Sequence, residues 1–139
     1  GLRTKELTPY DLPQNKVCIV SIVPSLDTRV CDVQTHTLGE TVLPEDVVRI
    51  CISRDLPMAQ KRFAESSSLQ NITYLSDYAE GAFGRRSGLL LIGPRLLTRS
   101  VLVVDKKGMI RHLQVVPELT HLPDMKKAFD VARRLRLQN

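Results

Sequence analysis

The chain is poor in the residues that mark several common classes of protein. It has no tryptophan and only three tyrosines, three phenylalanines and three cysteines among 139 residues. No apolar run approaches the ~18 residues of a membrane-spanning helix. The polar stretch from Gly1 to Tyr10 also lacks the apolar region of a signal peptide. We therefore expect a cytoplasmic protein that does not associate with membranes.

The cysteines and histidines do not have the spacing of a metal site. No CxxC pair occurs, which argues against both a zinc site and a thioredoxin redox motif. The histidines are scattered, at His36, His112 and His121. An odd number of cysteines without a secretory signal suggests thiols in a reducing compartment. We expect no metal and no cofactor.

The net charge of +5 does not by itself indicate a nucleic-acid partner. Much of the excess lies in short clusters, and one of them, Arg133 to Arg136, falls in the last turns of a predicted terminal helix. Cations there complement the helix dipole. No basic stripe is interleaved with aromatic residues. We interpret the charge as a solvated surface and expect no nucleic-acid binding.

Hydrophobic patterning predicts alternating strands and helices. The predicted strands cover residues 16–23, 47–53, 71–75, 99–105 and 109–116, and the predicted helices cover 30–42, 56–68, 80–88 and 122–137. The alternating first half is typical of parallel βαβ units, and the closing hairpin adds antiparallel strands. This order predicts one α/β domain over residues 1–139, with a thioredoxin-like fold: a central mixed sheet flanked by helices.

Two details of the predicted helices concern individual residues. In the helix over 30–42, Val33, Thr37 and Leu38 are expected to face the core. In the helix over 56–68, Asp55 is a plausible N-cap, since its carboxylate can accept from the first unpaired N–H groups.

The segment from Pro24 to Cys31 is the best candidate for a chemical site. It joins a buried strand to the start of a helix, which is where sites form in open α/β sheets. The unpaired N–H groups of a helix N-terminus favour a thiolate over a thiol. Thr28 stands one helical turn before Cys31, so its hydroxyl can turn back toward the sulfur. From these residues alone, a structural role for Cys31 is as well supported as a reactive one.

Several motifs together resemble one family. The string PSLDTRVC at 24–31 fits the peroxiredoxin pattern P-x-x-x-[ST]-x-x-C. In the same order, VPSLDTRVCD, CISRDLPMAQKRF, NITYLSDY, the GP of LLLIGPRLLTRSVLVVDKKG, and VPELTHLPDMKKAF resemble the bacterial thiol peroxidase subfamily. The resemblance runs from about Lys16 to Leu135.

The resemblance implies a function and a set of site residues. Cys31 matches the peroxidatic cysteine, Thr28 the threonine that hydrogen-bonds thiolate and peroxide, Pro24 the proline that shields the sulfur, and Arg99 the arginine of the peroxide pocket. By this resemblance the chain reduces hydrogen peroxide or alkyl hydroperoxides through a sulfenic acid on Cys31. It also implies a homodimer packed near the active site and thioredoxin or a similar thiol as the reductant. Without the resemblance, Thr28 is a plausible helix cap and Arg99 is an ordinary surface arginine.

The chain departs from the subfamily at two places. Where the family usually carries its resolving cysteine, in RFC, this chain has Ala64. Ahead of Lys16, only residues 1–15 stand where relatives usually carry a β-hairpin and a further strand, so this hairpin is expected to be shortened. The first departure predicts a single-cysteine peroxidase, or alternatively a catalytically impaired redox sensor or interaction module on the same fold.

Two other cysteines are candidates to replace the missing thiol. Cys18 and Cys51 both lie in predicted buried strands, where cysteine commonly acts as a small hydrophobic residue. A disulfide requires Cα atoms within about 7 Å. We expect both to be core residues rather than partners of Cys31.

Overall fold

The structure is a computed structural model, and it describes residues 13–26, 29–69, 71–78, 97–116 and 121–137. In these ranges the elements are β1 (Cys18–Ile22), α1 (Arg29–Glu40), β2 (Val48–Ser53), α2 (Pro57–Ser67), β3 (Thr73–Ser76), β4 (Arg99–Val104), β5 (Ile110–Val116) and α3 (Met125–Arg136). The helix predicted over 80–88 and the question of a shortened N-terminal hairpin, which falls on residues 1–12, lie outside the described residues. The predicted alternation of strands and helices is otherwise confirmed.

The five strands form one mixed sheet in the order β3-β2-β1-β4-β5. β1, β2 and β3 run parallel to one another, whereas β4 is antiparallel to both β1 and β5. The turn between β4 and β5 uses Gly108 at a φ of 83°, a conformation that favours glycine. Asp105 completes this turn by accepting hydrogen bonds from the backbone N–H groups of Lys107 and Met109. The expected thioredoxin-like architecture is thus confirmed.

Both faces of the central strand β1 are buried. Ile19 belongs to a core cluster that also takes in buried residues of all three helices, such as Leu38, Ala64 and Phe129. Val20 belongs to a second cluster on the opposite face. A strand covered on both sides has no polar face, which explains why the sequence around β1 shows little alternation.

The terminal helix α3 begins at an N-cap. The Asp124 carboxylate accepts from the backbone N–H of Lys127 at 3.1 Å. Leu122 precedes the helix and is exposed, whereas the apolar residues at helical spacing within it are buried: Met125, Ala128, Phe129, Ala132 and Leu135. Cap and apolar stripe together place α3 against the sheet.

Two predicted details of the other helices are wrong. Val33 on α1 is 44% exposed, and the polar residues Gln34 and Thr35 are buried in its place. Asp55 is not the cap of α2: the N-cap is Leu56, which makes no side-chain cap hydrogen bond. In both cases a polar side chain turns inward because it finds partners there. Those partners lie at the candidate site.

Candidate active site

Cys31 lies in the first turn of α1 and is fully buried. The helix begins two residues earlier, at Arg29, so the predicted helix start near Cys31 is confirmed. The backbone carbonyl of Cys31 accepts a hydrogen bond from the Thr35 hydroxyl, one turn further along the helix, at 2.8 Å. The sulfur therefore belongs to a formed helical turn, close to the unpaired N–H groups that favour an anion.

The segment that leads into α1 is held by a distant carboxylate. Pro24 is buried and follows β1 almost directly. Next to it, the Ser25 hydroxyl donates to Asp55 Oδ1 at 2.9 Å, and the Leu26 backbone N–H donates to Asp55 Oδ2 at 2.8 Å. Thr28 lies outside the described residues, so its contact with the sulfur stays a prediction.

Arg99 opens β4 and is 1% exposed. Because β4 runs antiparallel to β1, its beginning lies beside the end of β1, with Ser100 opposite Ile22. From there Arg99 Nη1 donates to Gln34 Oε1 at 3.0 Å. Gln34 follows Cys31 by three residues, and residues at this spacing are neighbours on one helix face, with Cβ atoms about 5–6 Å apart. The fold thus brings the guanidinium of Arg99 to the helical turn that carries Cys31.

Gln34 is a site residue that the sequence reasoning missed. It is fully buried, and its Nε2 donates to the Ser21 hydroxyl at 2.8 Å and to the Ser100 carbonyl at 3.2 Å. Its amide therefore joins α1, β1 and β4 while its carbonyl oxygen receives Arg99. A glutamine in a helix is usually read as a solvent-facing residue. Its spacing from Cys31 was the available sign that it shares the inward face.

The other two thiols occupy different places. Cys18 lies in the core cluster on the opposite face of the sheet from Cys31. Burial raises its pKa, against the opposing charge of Lys16. Cys51 lies on the same face as Cys31, and no disulfide joins any of the three cysteines.

The environment of Cys51 strongly favours the neutral thiol. Burial, with smaller contributions from the negative charges of Cys31 and Asp55, raises the pKa of Cys51 to about 12, although a hydrogen bond with Thr35 opposes the shift. Ala64 is buried in the same cluster. Position 64, where the resemblance implies a resolving cysteine, is therefore an apolar core position.

Neither a metal site nor a membrane span is found among the described residues. No group of three histidine, cysteine, aspartate or glutamate side chains in them is arranged to hold a metal ion. Likewise, none of the helices in these ranges has the length and apolar character needed to cross a membrane.

Comparison with known proteins identifies the family. The family model described as Redoxin matches residues 2–129. The thiol peroxidase of Staphylococcus epidermidis is 42% identical over 122 residues, which are 88% of this chain and 74% of that protein. The thiol peroxidase of Listeria innocua is 40% identical over 131 residues, which are 94% of this chain and 79% of that protein.

Solved structures agree with this assignment. A peroxiredoxin-like protein from Aquifex aeolicus superposes with a TM-score of 0.88 at 34% identity, covering 96% of this chain and 81% of that one. The thiol peroxidase from Chromobacterium violaceum shares the fold, with a TM-score of 0.78 at 14% identity over 99% of this chain and 83% of that one. The chain therefore belongs to the Redoxin family, as a peroxiredoxin of the bacterial thiol peroxidase type.

Proposed function

We propose that this thiol peroxidase reduces hydrogen peroxide or small alkyl hydroperoxides with the sulfur of Cys31. The observation that carries the proposal is the hydrogen bond from Arg99 to Gln34, since it delivers a buried cation to the turn of α1 that holds the thiol. A helix N-terminus and a guanidinium are both groups that favour a thiolate, the form that acts as a nucleophile.

In the first step the Cys31 thiolate attacks one oxygen of the peroxide. An S–O bond forms and the O–O bond breaks, so the sulfur is oxidised to a sulfenic acid and the departing oxygen leaves as water or an alcohol after taking up a proton. Negative charge grows on the departing oxygen during this step. Donors that already point at the site stabilise it without reorganisation, as in an oxyanion hole.

We assign three other residues to this step. Arg99 is proposed to hold the two oxygens of the peroxide with its guanidinium, Thr28 to donate its hydroxyl to them, and Pro24 to shield the sulfur from water. Support for Arg99 comes from its burial and its bond to Gln34, and support for Pro24 from its burial beside the loop held by Asp55. Thr28 rests on the family pattern alone.

In the second half of the cycle an external thiol is proposed to attack the sulfenic acid. Water leaves, a mixed disulfide forms, and a second thiol releases Cys31 in its reduced state. A reductant of the thioredoxin type suits this step. An internal partner is disfavoured because position 64 is alanine, Cys18 lies on the other face of the sheet, and the pKa of Cys51 is raised to about 12. This makes the proposed enzyme a single-cysteine peroxidase.

We further propose a cytoplasmic homodimer packed near the active site. Leu56 and Met58, at the start of α2, are 51% and 57% exposed, and they adjoin Asp55, which holds the loop before Cys31. Apolar side chains exposed beside a site suit a protein interface. The thiol state of all three cysteines suits a reducing compartment.

Stopped-flow mixing of the reduced protein with hydrogen peroxide tests the role of Cys31. The wild type and a Cys51→Ser variant are expected to react far faster than a free thiol, and a Cys31→Ser variant is expected not to react. A rate for the wild type no higher than that of a free thiol would refute the proposal.

A second measurement separates the enzyme from a redox sensor, which the absence of a resolving cysteine at position 64 would suit. Steady NADPH oxidation with thioredoxin reductase, thioredoxin and peroxide is expected from a peroxidase. Fast oxidation of Cys31 without any turnover would favour the sensor instead.

A further inference from the structure

Both carboxylate oxygens of Asp55 accept hydrogen bonds from the segment that leads to Cys31. One oxygen accepts from the Ser25 hydroxyl and the other from the Leu26 backbone N–H, across 29 residues of sequence in the second case. It makes these bonds although it directly precedes α2, whose N-cap position has no side-chain hydrogen bond. The Asp55 side chain therefore stabilises the loop before α1 and does not cap α2.

The backbone of Asp55 is itself held from two strands. The Asp55 backbone N–H donates to the Ser53 hydroxyl at 3.3 Å, and its carbonyl accepts from the Ser76 hydroxyl. Ser53 and Ser76 are the last residues of β2 and β3, and both are buried. Gln60 of α2 adds a hydrogen bond to the Ser53 hydroxyl at 3.0 Å. The position of Asp55 is thus set by the sheet and not by a mobile loop.

We propose that Asp55 is a positioning residue for peroxide reduction, an inference that rests on the function proposed for Cys31. Its two hydrogen bonds hold Ser25 and Leu26, so that this part of the segment leading to Cys31 is fixed before peroxide binds. Hydrogen bonds to an ionised carboxylate are about twice as strong as neutral ones. A displacement of about 1 Å in a reacting geometry is enough to lower a rate about a hundredfold.

The charge of Asp55 has an electrostatic effect on a neighbouring thiol. Its negative charge contributes to the raised pKa of Cys51, which shares a core cluster with Cys31. A carboxylate retained so near a thiolate site is better explained by the bonds it makes than by its field. Loss of the charge would lower the pKa of a neighbouring thiol, whereas loss of the bonds would slow peroxide reduction, so the two effects of Asp55→Asn have opposite signs.

The test compares two reactions of the same sulfur. Peroxide reduction needs a shaped pocket for two oxygens, whereas alkylation by iodoacetamide needs only an accessible thiolate. For Asp55→Asn we expect the rate constant with hydrogen peroxide to fall about tenfold or more, with the alkylation rate at the same pH changed less than about threefold. Asp130→Asn, which removes an exposed carboxylate from α3, is the matched control and is expected to leave both rates unchanged.

Ser25→Ala gives an independent measure, because it removes the contact to Asp55 Oδ1 and keeps the carboxylate with its bond from the Leu26 N–H. We expect a smaller loss in the peroxide rate, and we expect the loss in the Asp55→Asn, Ser25→Ala double variant to be less than the product of the two. If an Asp55 variant fails to fold, the peroxide rate of Ser25→Ala tests the proposal instead.

Three outcomes would overturn the inference: unchanged peroxide rates in these variants, equal losses in both reactions, or fully multiplicative losses in the double variant. The wild-type reaction separates this failure from that of the proposed function. If the wild type reduces peroxide through Cys31 while Asp55→Asn does so equally well, only the role of Asp55 is wrong.

Discussion

The guanidinium Nη1 of Arg99 donates a hydrogen bond to the side-chain Oε1 of Gln34 at 3.0 Å, although 65 residues of sequence separate the two. Both side chains are buried, so the hydrogen bond is made away from solvent. A charged donor in such a place needs an oriented acceptor, and Gln34 supplies it while its own amide is held by Ser21 and Ser100. The orientation of the cation at the site thus depends on a neutral residue one turn from the thiol.

Replacing Gln34 by leucine is expected to slow peroxide reduction. The substitution keeps the side-chain size but removes an acceptor for Arg99, and we expect a loss of about 1–3 kcal/mol in unfolding free energy from the buried hydrogen bonds that are lost. The rate constant with hydrogen peroxide should fall about tenfold, which corresponds to about 1.4 kcal/mol. Stopped-flow kinetics and thermal unfolding measure the two effects. Gln114→Leu, on β5, is the control. An equal fall in its rate constant with hydrogen peroxide would contradict the role of Gln34.

Reactivity toward alkylating agents should single out one of the three thiols. Burial raises the pKa of both Cys18 and Cys51, the latter to about 12, so both thiols are neutral at pH 8. Iodoacetamide at this pH is expected to modify Cys31 alone in the native protein and all three cysteines in denaturant. Peptide mapping by mass spectrometry reads the result. Native modification of Cys51 at a rate equal to that of Cys31 would contradict the raised pKa of Cys51.

Introducing a thiol at position 64 is expected to convert the proposed single-cysteine enzyme into one with an internal disulfide. Ala64 packs in the same core cluster as Cys31, and the extra sulfur costs about 1–3 kcal/mol of stability through overpacking. After one equivalent of peroxide, Ala64→Cys should form a disulfide between residues 31 and 64. Non-reducing peptide mapping detects this bond.

Ser66→Cys provides the control for that experiment, because residue 66 lies on the same helix but on its exposed side. It should give no disulfide with Cys31. An equal yield of disulfide from both variants would mean that proximity within the core does not govern the reaction.

Stability at alkaline pH should depend on Tyr74. Burial, with a smaller electrostatic contribution from Cys51, raises the pKa of the Tyr74 phenol, although a hydrogen bond with Ser67 opposes the shift. A raised pKa means that the unfolded chain loses its proton first. The stabilisation is therefore complete below the ordinary phenol value of about 10 and is lost as the pH rises above it.

Tyr74→Phe removes this titration and keeps the ring, which packs edge-on against Phe63 with centroids 6.1 Å apart. We expect the unfolding free energy of Tyr74→Phe to fall less steeply than that of the wild type between about pH 9 and 12. Urea unfolding at a series of pH values measures the slopes. Parallel slopes would show that the phenol does not contribute.

The sequence predicts the elements of this fold well because their causes are local. Runs of β-branched residues such as those around β1 indicate a strand buried on both faces, and the apolar spacing over residues 122–137 indicates the terminal helix. The mixed sheet also follows from the order of the elements, since crossovers give parallel pairs and a tight hairpin gives an antiparallel one.

The site is only partly accessible to such reasoning. The position of Cys31 at a helix start is local, but the contacts of Gln34 and Asp55 join segments far apart in the sequence. A polar residue on a helix or just before one has an ordinary local explanation, as a solvent-facing residue or a cap. Only the pairing of β1 with β2 and β4 shows that the side chains have partners in the interior.

Strand pairing also limits how this chain can change in length. Arg99, Val101 and Val103 alternate along β4, and the two valines face the cluster that contains Cys31. Inserting or deleting one residue within β4 would turn Arg99 to the opposite side of the sheet. The hairpin over residues 105–109 lies beyond β4 and can change length without this effect. Insertions should therefore be tolerated in the hairpin after Val104 but not within β4. The register of the whole strand determines on which face of the sheet the Arg99 guanidinium lies.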